Sequence, residues 1–466
     1  MFLLALPANT RCCLLASLDA QAVVGRSGSV EKVVFLLLNG GRLGWRTQLT
    51  EEGTMPAIVE FPHVVIEALP DFADLFCCEP QRRHFAEYLT GLFVARKKNV
   101  SAINREFANT TDQSCLNKFL NDVVWDEKAL NERRLEVLQR DAATRYSDQG
   151  AIAIDDVLID HEGQLIDDVG WFWDHAEDRY KIAHDYLFIN YVCPSGKHYP
   201  LEFRRFKKRE QCEEDGEAFQ DHGVLFRQLI DWTCERDIPG DFTWDSYFSS
   251  VENLNYVHAK RDHFGQPRGY VGDLKTNRKI WYRGKEIKAE TLASTIAPEA
   301  RKEIRRGDKR QWYFTCTIHI PKVNHKVRIL ILWNHRRDAS PCKILITNRV
   351  RWEAKRILRV YRYRWTGTET FHRDGKQELG MGDCQLRDGQ GQTRHMYLVM
   401  LAYSLLMTQL RDSRAKDWAL HRLTTIGEAC RGVMHETLRT TLAWAIDQVT
   451  QDSQNKEHVM AQLGLT

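Results

Sequence analysis

The sequence predicts an α/β protein that carries a β-rich insertion and is preceded by a helical region. Three observations predict it. Short runs of β-branched and aromatic residues stand at 151–154, 180–193, 199–206 and 269–272. A helical stretch at about 213–236 separates the third run from the fourth, as a crossover helix would. After residue 344 a last short apolar run gives way to helical spacing. With 466 residues, 43% hydrophobic and 10% aromatic, the chain has room for two or three ordered domains.

Taken in order, residues 1–54 show two apolar bursts, a Gly40-Gly41 break and no sustained period. They are expected to be a non-functional upstream extension, with Met55 opening the patterned chain; a small genuine module is the competing expectation. Residues 55–145 are expected to be helical, because Phe85, Tyr88, Leu89, Leu92 and Phe93 recur at spacings of three and four. Two short helices near 101–108 and 112–121, joined by Asn109-Thr110-Thr111, resemble a helix-turn-helix with Thr111 or Asp112 as N-cap, which makes this a candidate DNA-binding region. Such pairs are commoner as plain bundle pieces.

Residues 146–272 supply the first part of the core. A strand over 151–154 ends in Asp155-Asp156, a short apolar run ends at Asp245, and a helix follows over 246–256. The insertion spans 273–343, with strands at 280–282, 311–320 and 327–333. The second part of the core, 344–410, holds a strand over 344–348 and helices at about 352–363, 368–379 and 395–410. Residues 411–466 read as a helical tail.

Lys and Arg total 66 against 63 Asp and Glu, so the net charge of +3 excludes nothing by itself. Its distribution is more telling. Cations crowd at 96–98, 204–209 and 275–310, and such patches can follow a phosphate backbone or simply be solvated faces. Twelve cysteines without a C-x-x-C suggest neither zinc nor a disulfide framework, and a reduced, cytoplasmic compartment is expected. The longest apolar run, 398–407, is too short to span a bilayer, and residues 2–6 lack the features of a signal peptide.

Asp156 and Asp245 each follow an apolar run, where open α/β sheets place reacting groups. Carboxylates converging there can hold two hard divalent ions about 4 Å apart for phosphodiester chemistry. Each acid also has a bland reading: Asp155 and Asp156 as turn residues, Asp245 as the N-cap of the next helix. Asp273 and Asp185 are rivals. The stretch 361–377 sharpens the choice. Tyr361, Arg364, Glu369 and Lys376 fall in order, with Arg373 four residues after Glu369, so an acid is flanked by cations fit to hold phosphates. Against this, Thr366 and Glu369 fit a capping box.

These residues resemble the DDE transposases of bacterial insertion sequences, in the branch with a Y-R-E-K signature. The resemblance runs from about Met55 to Leu410. It is carried by Ile154-Asp155-Asp156, Trp244-Asp245-Ser246-Tyr247, residues 345–349, and residues 361–377 continuing through 379–383. It implies a ribonuclease H-like core with the insertion before the third acid, and catalytic, metal-holding acids Asp156, Asp245 and Glu369. Asp156 is preferred to its twin Asp155 because a β-branched residue, Val157, follows it. The resemblance further implies Tyr361, Arg364 and Lys376 on DNA-end phosphates and two Mg²⁺ (or Mn²⁺) ions. The enzyme would act as a homodimer on terminal inverted repeats and target double-stranded DNA, in the bacterial nucleoid.

Arg373, Lys275 and Arg278, with Lys279 and Arg283, are expected to grip DNA. Trp281 or Trp333 is a candidate for stacking on a base, though a core role is the simpler reading of each. Four residues separate Arg364 from Glu369 where the signature has three, and a helix break at Gly367 would absorb the extra one. Glu378 is the next candidate for the third acid. The alternatives are a ribonuclease H-like nuclease that cuts without joining, an inactive DNA-binding relative, and, more remotely, a zinc hydrolase built on His175, His184 and Asp185.

Overall fold

Alternation along the strands decides how this chain folds around its acids. The computed structural model describes residues 57–306, 309–410, 418–419 and 422–465, and the backbone of five strands between residues 11 and 44. Two compact units divide the chain, residues 59–440 and residues 1–58 with 441–466. In the smaller unit β1 (Arg11–Ser17), β2 (Ala20–Ser27) and β3 (Val30–Phe35) form an antiparallel meander, and β4 (Leu37–Asn39) and β5 (Arg42–Gly44) a hairpin. The sequence offered no strand period here, because runs such as Ala22-Val23-Val24 are apolar at consecutive positions. Met55 lies outside the described residues, as do residues 411–417 of the expected tail.

The larger unit opens with five helices: α1 (His63–Phe72), α2 (Glu79–Val94), α3 (Val100–Arg105), α4 (Gln113–Asn121) and α5 (Glu127–Arg140). Asp112 caps α4 by accepting from the Ser114 amide at 2.9 Å, as its sequence position predicts. Asn104 braces the turn between α3 and α4 through Thr110 Oγ1 and the Thr111 carbonyl. α2 is buried continuously from His84 to Val94.

A mixed sheet follows, built from β6 (Ala151–Asp160), β7 (Gly170–Asp174), β8 (Arg179–Val192) and β9 (His198–Phe206). After α6 (Arg209–Asp215) and α7 (His222–Glu235) come β10 (Asp241–Trp244), α8 (Val251–Ala259) and β11 (Tyr270–Asp273). The hairpin β12 (Lys279–Tyr282) and β13 (Lys285–Lys288), then α9 (Ala289–Thr295), precede β14 (Lys302–Arg306), β15 (Lys309–Ile318), β16 (Val327–Trp333) and β17 (Lys343–Thr347). Ten of these strands form one sheet in the order β14-β15-β16-β17-β11-β10-β6-β8-β7, with β9 also on β8. β10 runs parallel to both β6 and β11; every other pairing is antiparallel. The β-rich segment is thus continuous with the core sheet: β14, β15 and β16 extend it past β17.

Successive side chains point to opposite faces of a strand. One face carries Ile152, Ile154, Ile329, Ile331, Ile344 and Ile346 and is covered by α7 and α8 through Phe226, Leu229, Leu254 and Val257. The other carries Ala151, Leu330, Leu332 and Leu345 under α10 (Ala354–Arg364), which buries Ile357, Leu358 and Val360. α11 (Thr370–Glu378), α12 (Gly389–Gln409), α13 (Ile426–Gln451) and α14 (Lys456–Gln462) complete the described chain.

Several expectations are corrected. The helix expected over 213–236 is two, because Gly216 adopts a left-handed φ of 69° and ends α6. α8 starts at Val251, capped by Ser250, so Asp245 caps no helix. β6 continues to Asp160, placing Asp155 and Asp156 in mid-strand where the sequence suggested a strand end. The helix does not break at Gly367: residues Trp365–Glu369 form one π-helical turn joining α10 to α11. A π turn inserts a single residue into an α-helix, so it absorbs the extra residue between Arg364 and Glu369 without ending the helix. No described helix is long and apolar enough to cross a membrane.

Candidate active site

β6 splits its paired aspartates. Asp155 shares the face of Ala151 and Ala153 and is buried beneath the π turn, whereas Asp156 shares the face of Ile152 and Ile154 and is exposed. Gly367 makes the close approach possible: a Cβ there would lie 2.8 Å from Val192 Cγ2 and 3.1 Å from Ala153 Cβ. With the helix seated this low, the Arg364 guanidinium pairs with Asp155 and lies 3.4 Å from Glu369 Oε1. The Thr368 hydroxyl stands 3.2 Å from Asp155 Oδ2 and 2.8 Å from the Arg364 carbonyl. Asp245, directly after β10, accepts from the Tyr247 amide at 2.8 Å.

Charge couples these groups. Burial pushes the Asp155 carboxyl up to about 8; Arg364 opposes the shift, while Asp156, Asp245 and Glu369 add to it. Burial likewise raises Asp245, with the Tyr247 amide and Arg364 pulling the other way. Asp155 and Glu369 therefore share one guanidinium, and the Asp245 charge acts on it as well. Glu369 lies within a continuous helix, so its capping-box reading fails.

On the opposite face Asp156 meets different company. Desolvation, then the Asp185 charge and, less, the Asp245 charge push its carboxyl up to about 6, while His222 opposes the shift. Asp185, buried, accepts from His222 Nε2 at 2.8 Å, and its other oxygen, Oδ1, has no partner among the described residues. Burial pulls the His222 imidazole down, but the Asp185 hydrogen bond and charge, with the Asp156 charge, leave it above its ordinary value.

The signature residues divide. Tyr361 extends the acid site, its hydroxyl 3.4 Å from Asp273 Oδ2, which Lys343 Nζ also reaches at 2.9 Å. Arg373 instead pairs with its neighbour Asp374 at 2.8 Å. Lys376 lies toward Asp160, Lys181, Asp174 and Glu177, and desolvation is the main reason its pKa is lowered. Lys275 and Arg278 line an open groove of about 610 Å³ beside Asp245, with Ser246, Tyr247, Ser250 and Asn277. There Arg278 is tied to the Ser249 carbonyl.

Trp333 is core, under Arg301, while Trp281 is exposed. His184 bonds His161 and the Asp167 carbonyl, and no three described His, Cys, Asp or Glu residues are clustered as a metal site, which leaves the zinc-hydrolase reading without support. Sequence reasoning missed Thr368, Lys343 and His222. Thr368 is adjacent to Glu369 and was open to notice; the other two are brought in only by strand and helix register.

Among the described residues Asp155, Asp245 and Glu369 are likewise not clustered as a three-ligand metal site; Asp155 and Glu369, the two acids that Arg364 bridges, offer oxygen donors of the kind a hard divalent cation takes.

Comparison with known families places a transposase DDE domain at residues 223–405. That span carries Asp245, Tyr361, Arg364 and Glu369 and begins after β6. No curated protein matches the chain. The resemblance to DDE transposases therefore holds, and the mixed α/β sheet is the ribonuclease H-like core it implies.

Proposed function

We propose that this chain is a DNA transposase that cuts the ends of an insertion sequence and joins the freed 3′-hydroxyls to target DNA. The observation that carries the reading is that Asp155 and Glu369 share Arg364 while the Asp245 charge acts on both Asp155 and Arg364, Asp245 and Glu369 lying within the matched transposase segment. As first acid the geometry favours Asp155 over Asp156, since Asp155 shares Arg364 with Glu369 whereas Asp156 looks toward Asp185 and His222.

In the proposed reaction a water oxygen bonds to the phosphorus at the element's end, the bond to the 3′-oxygen breaks, and that oxygen takes a proton. The freed 3′-hydroxyl then attacks a target phosphate in the same way. Divalent ions, Mg²⁺ or Mn²⁺, would neutralise the charge that builds on the attacking and leaving oxygens. Asp155, Asp245 and Glu369 would hold them. Arg364 and Tyr361 would steady the end phosphate, with Thr368 fixing the Asp155 carboxylate. Lys275 and Arg278 would guide the DNA along the groove beside Asp245. Arg373 and Lys376 would contact DNA outside the acid pocket. Two copies of the chain would act together, one at each terminal repeat.

The test supplies full-length protein, Mg²⁺, a duplex carrying the element's terminal repeat, and a target plasmid. Cut ends and joined product are expected from the wild type, and neither from Glu369→Gln, which should still bind the repeat. Cutting without joining would indicate a simple nuclease. No reaction on authentic ends would end the proposal.

A further inference from the structure

An enzyme that joins two DNAs must hold two duplexes, and the basic patches most obvious in the sequence do not all remain free to do so. Lys98 is buried, its ammonium on the Ala95 carbonyl. Arg205 and Lys207 are engaged by Asp168, and Lys207 also pairs with Asp215 and Glu217. The outer face of α10 differs. Arg351, just before the helix, and Lys355, Arg356, Arg359 and Arg362 along it are all exposed. Arg356 stacks 4.0 Å over Trp352; the side chains of the other four have no ion-pair or hydrogen-bond partner among the described residues.

Lys355–Arg359, Arg356–Arg359 and Arg359–Arg362 are like charges at i+4 or i+3, an arrangement that weakens a helix. A row of cations without ion-pair partners on an exposed helix face matches a phosphate backbone. Another basic surface, the groove of Lys275, where Lys279 is paired with Glu286, adjoins α8 on the opposite face of the sheet. That groove adds hydroxyl, amide and aromatic side chains suited to a defined DNA end.

We infer that the outer face of α10 binds the backbone of the target duplex. The inference rests on the transposase reading and adds to it a second DNA surface, separate from the one that holds the element's end. The inner face of the same helix presents Tyr361 and Arg364 to the acids, so a duplex on the outer face lies one helix diameter from the site of joining.

The experiment compares wild type with Lys355→Gln/Arg359→Gln/Arg362→Gln in the full chain. Three assays are run: cleavage of the terminal repeat, joining of pre-cut ends to plasmid, and salt-dependent binding of a duplex lacking the repeat. Joining should fall at least about tenfold while cleavage changes little. The slope of log affinity against log salt should flatten by about 0.9 for each phosphate that the variant no longer neutralises. Lys355→Arg/Arg359→Lys/Arg362→Lys, which keeps the charge, should join normally. Unchanged joining, or cleavage falling in step with it, would overturn the assignment. Were the wild type inactive on every end, the transposase reading would fail on its own, and the salt slope would still report whether this face binds DNA.

Discussion

The two faces of β6 hold the same ingredients arranged to different ends. On the α10 face an aspartate, an arginine and a glutamate meet, and the cation is shared between acids from distant parts of the chain. On the α7 face an aspartate, a second aspartate and a histidine meet, and the imidazole is committed to one buried partner, Asp185. Adjacent residues of one strand thus meet different partners, with the Asp245 charge acting on both. Chemical composition does not tell these apart; what does is how many acids one cation must serve, and whether a helix brings a third carboxylate.

The strongest test of that contrast removes one carboxylate at a time. Glu369→Gln and Asp155→Asn should each lower end cleavage by about 10³-fold, the several kcal/mol expected of a missing metal ligand. Asp156→Asn should lower it less than about tenfold. Single-turnover cleavage in Mg²⁺, with repeat binding as control, measures all three. An Asp156→Asn loss equal to that of Asp155→Asn would merge the two faces into one site.

The π turn offers the next break. Deleting Gly367 restores three residues between Arg364 and Glu369 and lets α10 run into α11 as a regular α-helix, with α11 in nearly the same phase. A threonine would then bring its Cβ to the seat where Gly367 meets Val192 and Ala153, lifting the helix from Asp155, and cleavage should fall by about 10²-fold or more. Gly367→Ala is gentler. Its Cβ would press on the Val192 and Ala153 side chains of the packed strands, and should cost about 1–3 kcal/mol, read as a lower melting temperature. Melting unchanged in Gly367→Ala would show that the π turn does not sit tightly on the sheet.

Much of this was legible in the sequence, and what was not has physical reasons. Periodicity located β8, β9, β11, β16 and the helical N-terminal region, and the order of Tyr361, Arg364, Glu369 and Lys376 singled out Glu369, which lies beside Arg364. That Asp155 and Asp156 face opposite sides of the sheet was hidden because it depends on strand phase: reading the strand as ending at Ile154 removed the alternation that separates them. The extra residue before Glu369 suggested a break because local spacing cannot distinguish a broken helix from a π turn; Gly367 is there for a tertiary contact. Asn348 and Arg349, part of the recognisable block at 345–349, prove to be a clasp. Asn348 joins the Arg268 carbonyl, His258 and the Tyr270 amide, while Arg349 pairs with Asp241. Sequence resemblance marked the residues without distinguishing chemistry from scaffold.

The smallest effect probes the α7 face alone. His222 titrates above its ordinary value, so its contribution to stability is complete below that ordinary value and is lost as pH rises through the folded one. Asp185→Asn removes the partner responsible and leaves burial, which acts in the opposite direction. The His222 imidazole should then titrate lower by NMR, and the associated stability change with pH should shrink. Cleavage should hardly change, since Asp185 bonds no member of the Asp155–Arg364–Glu369 group. If cleavage instead fell as far as in Asp155→Asn, the His222 pair would have to act within the reaction, and the division between the faces would be chemical in neither case.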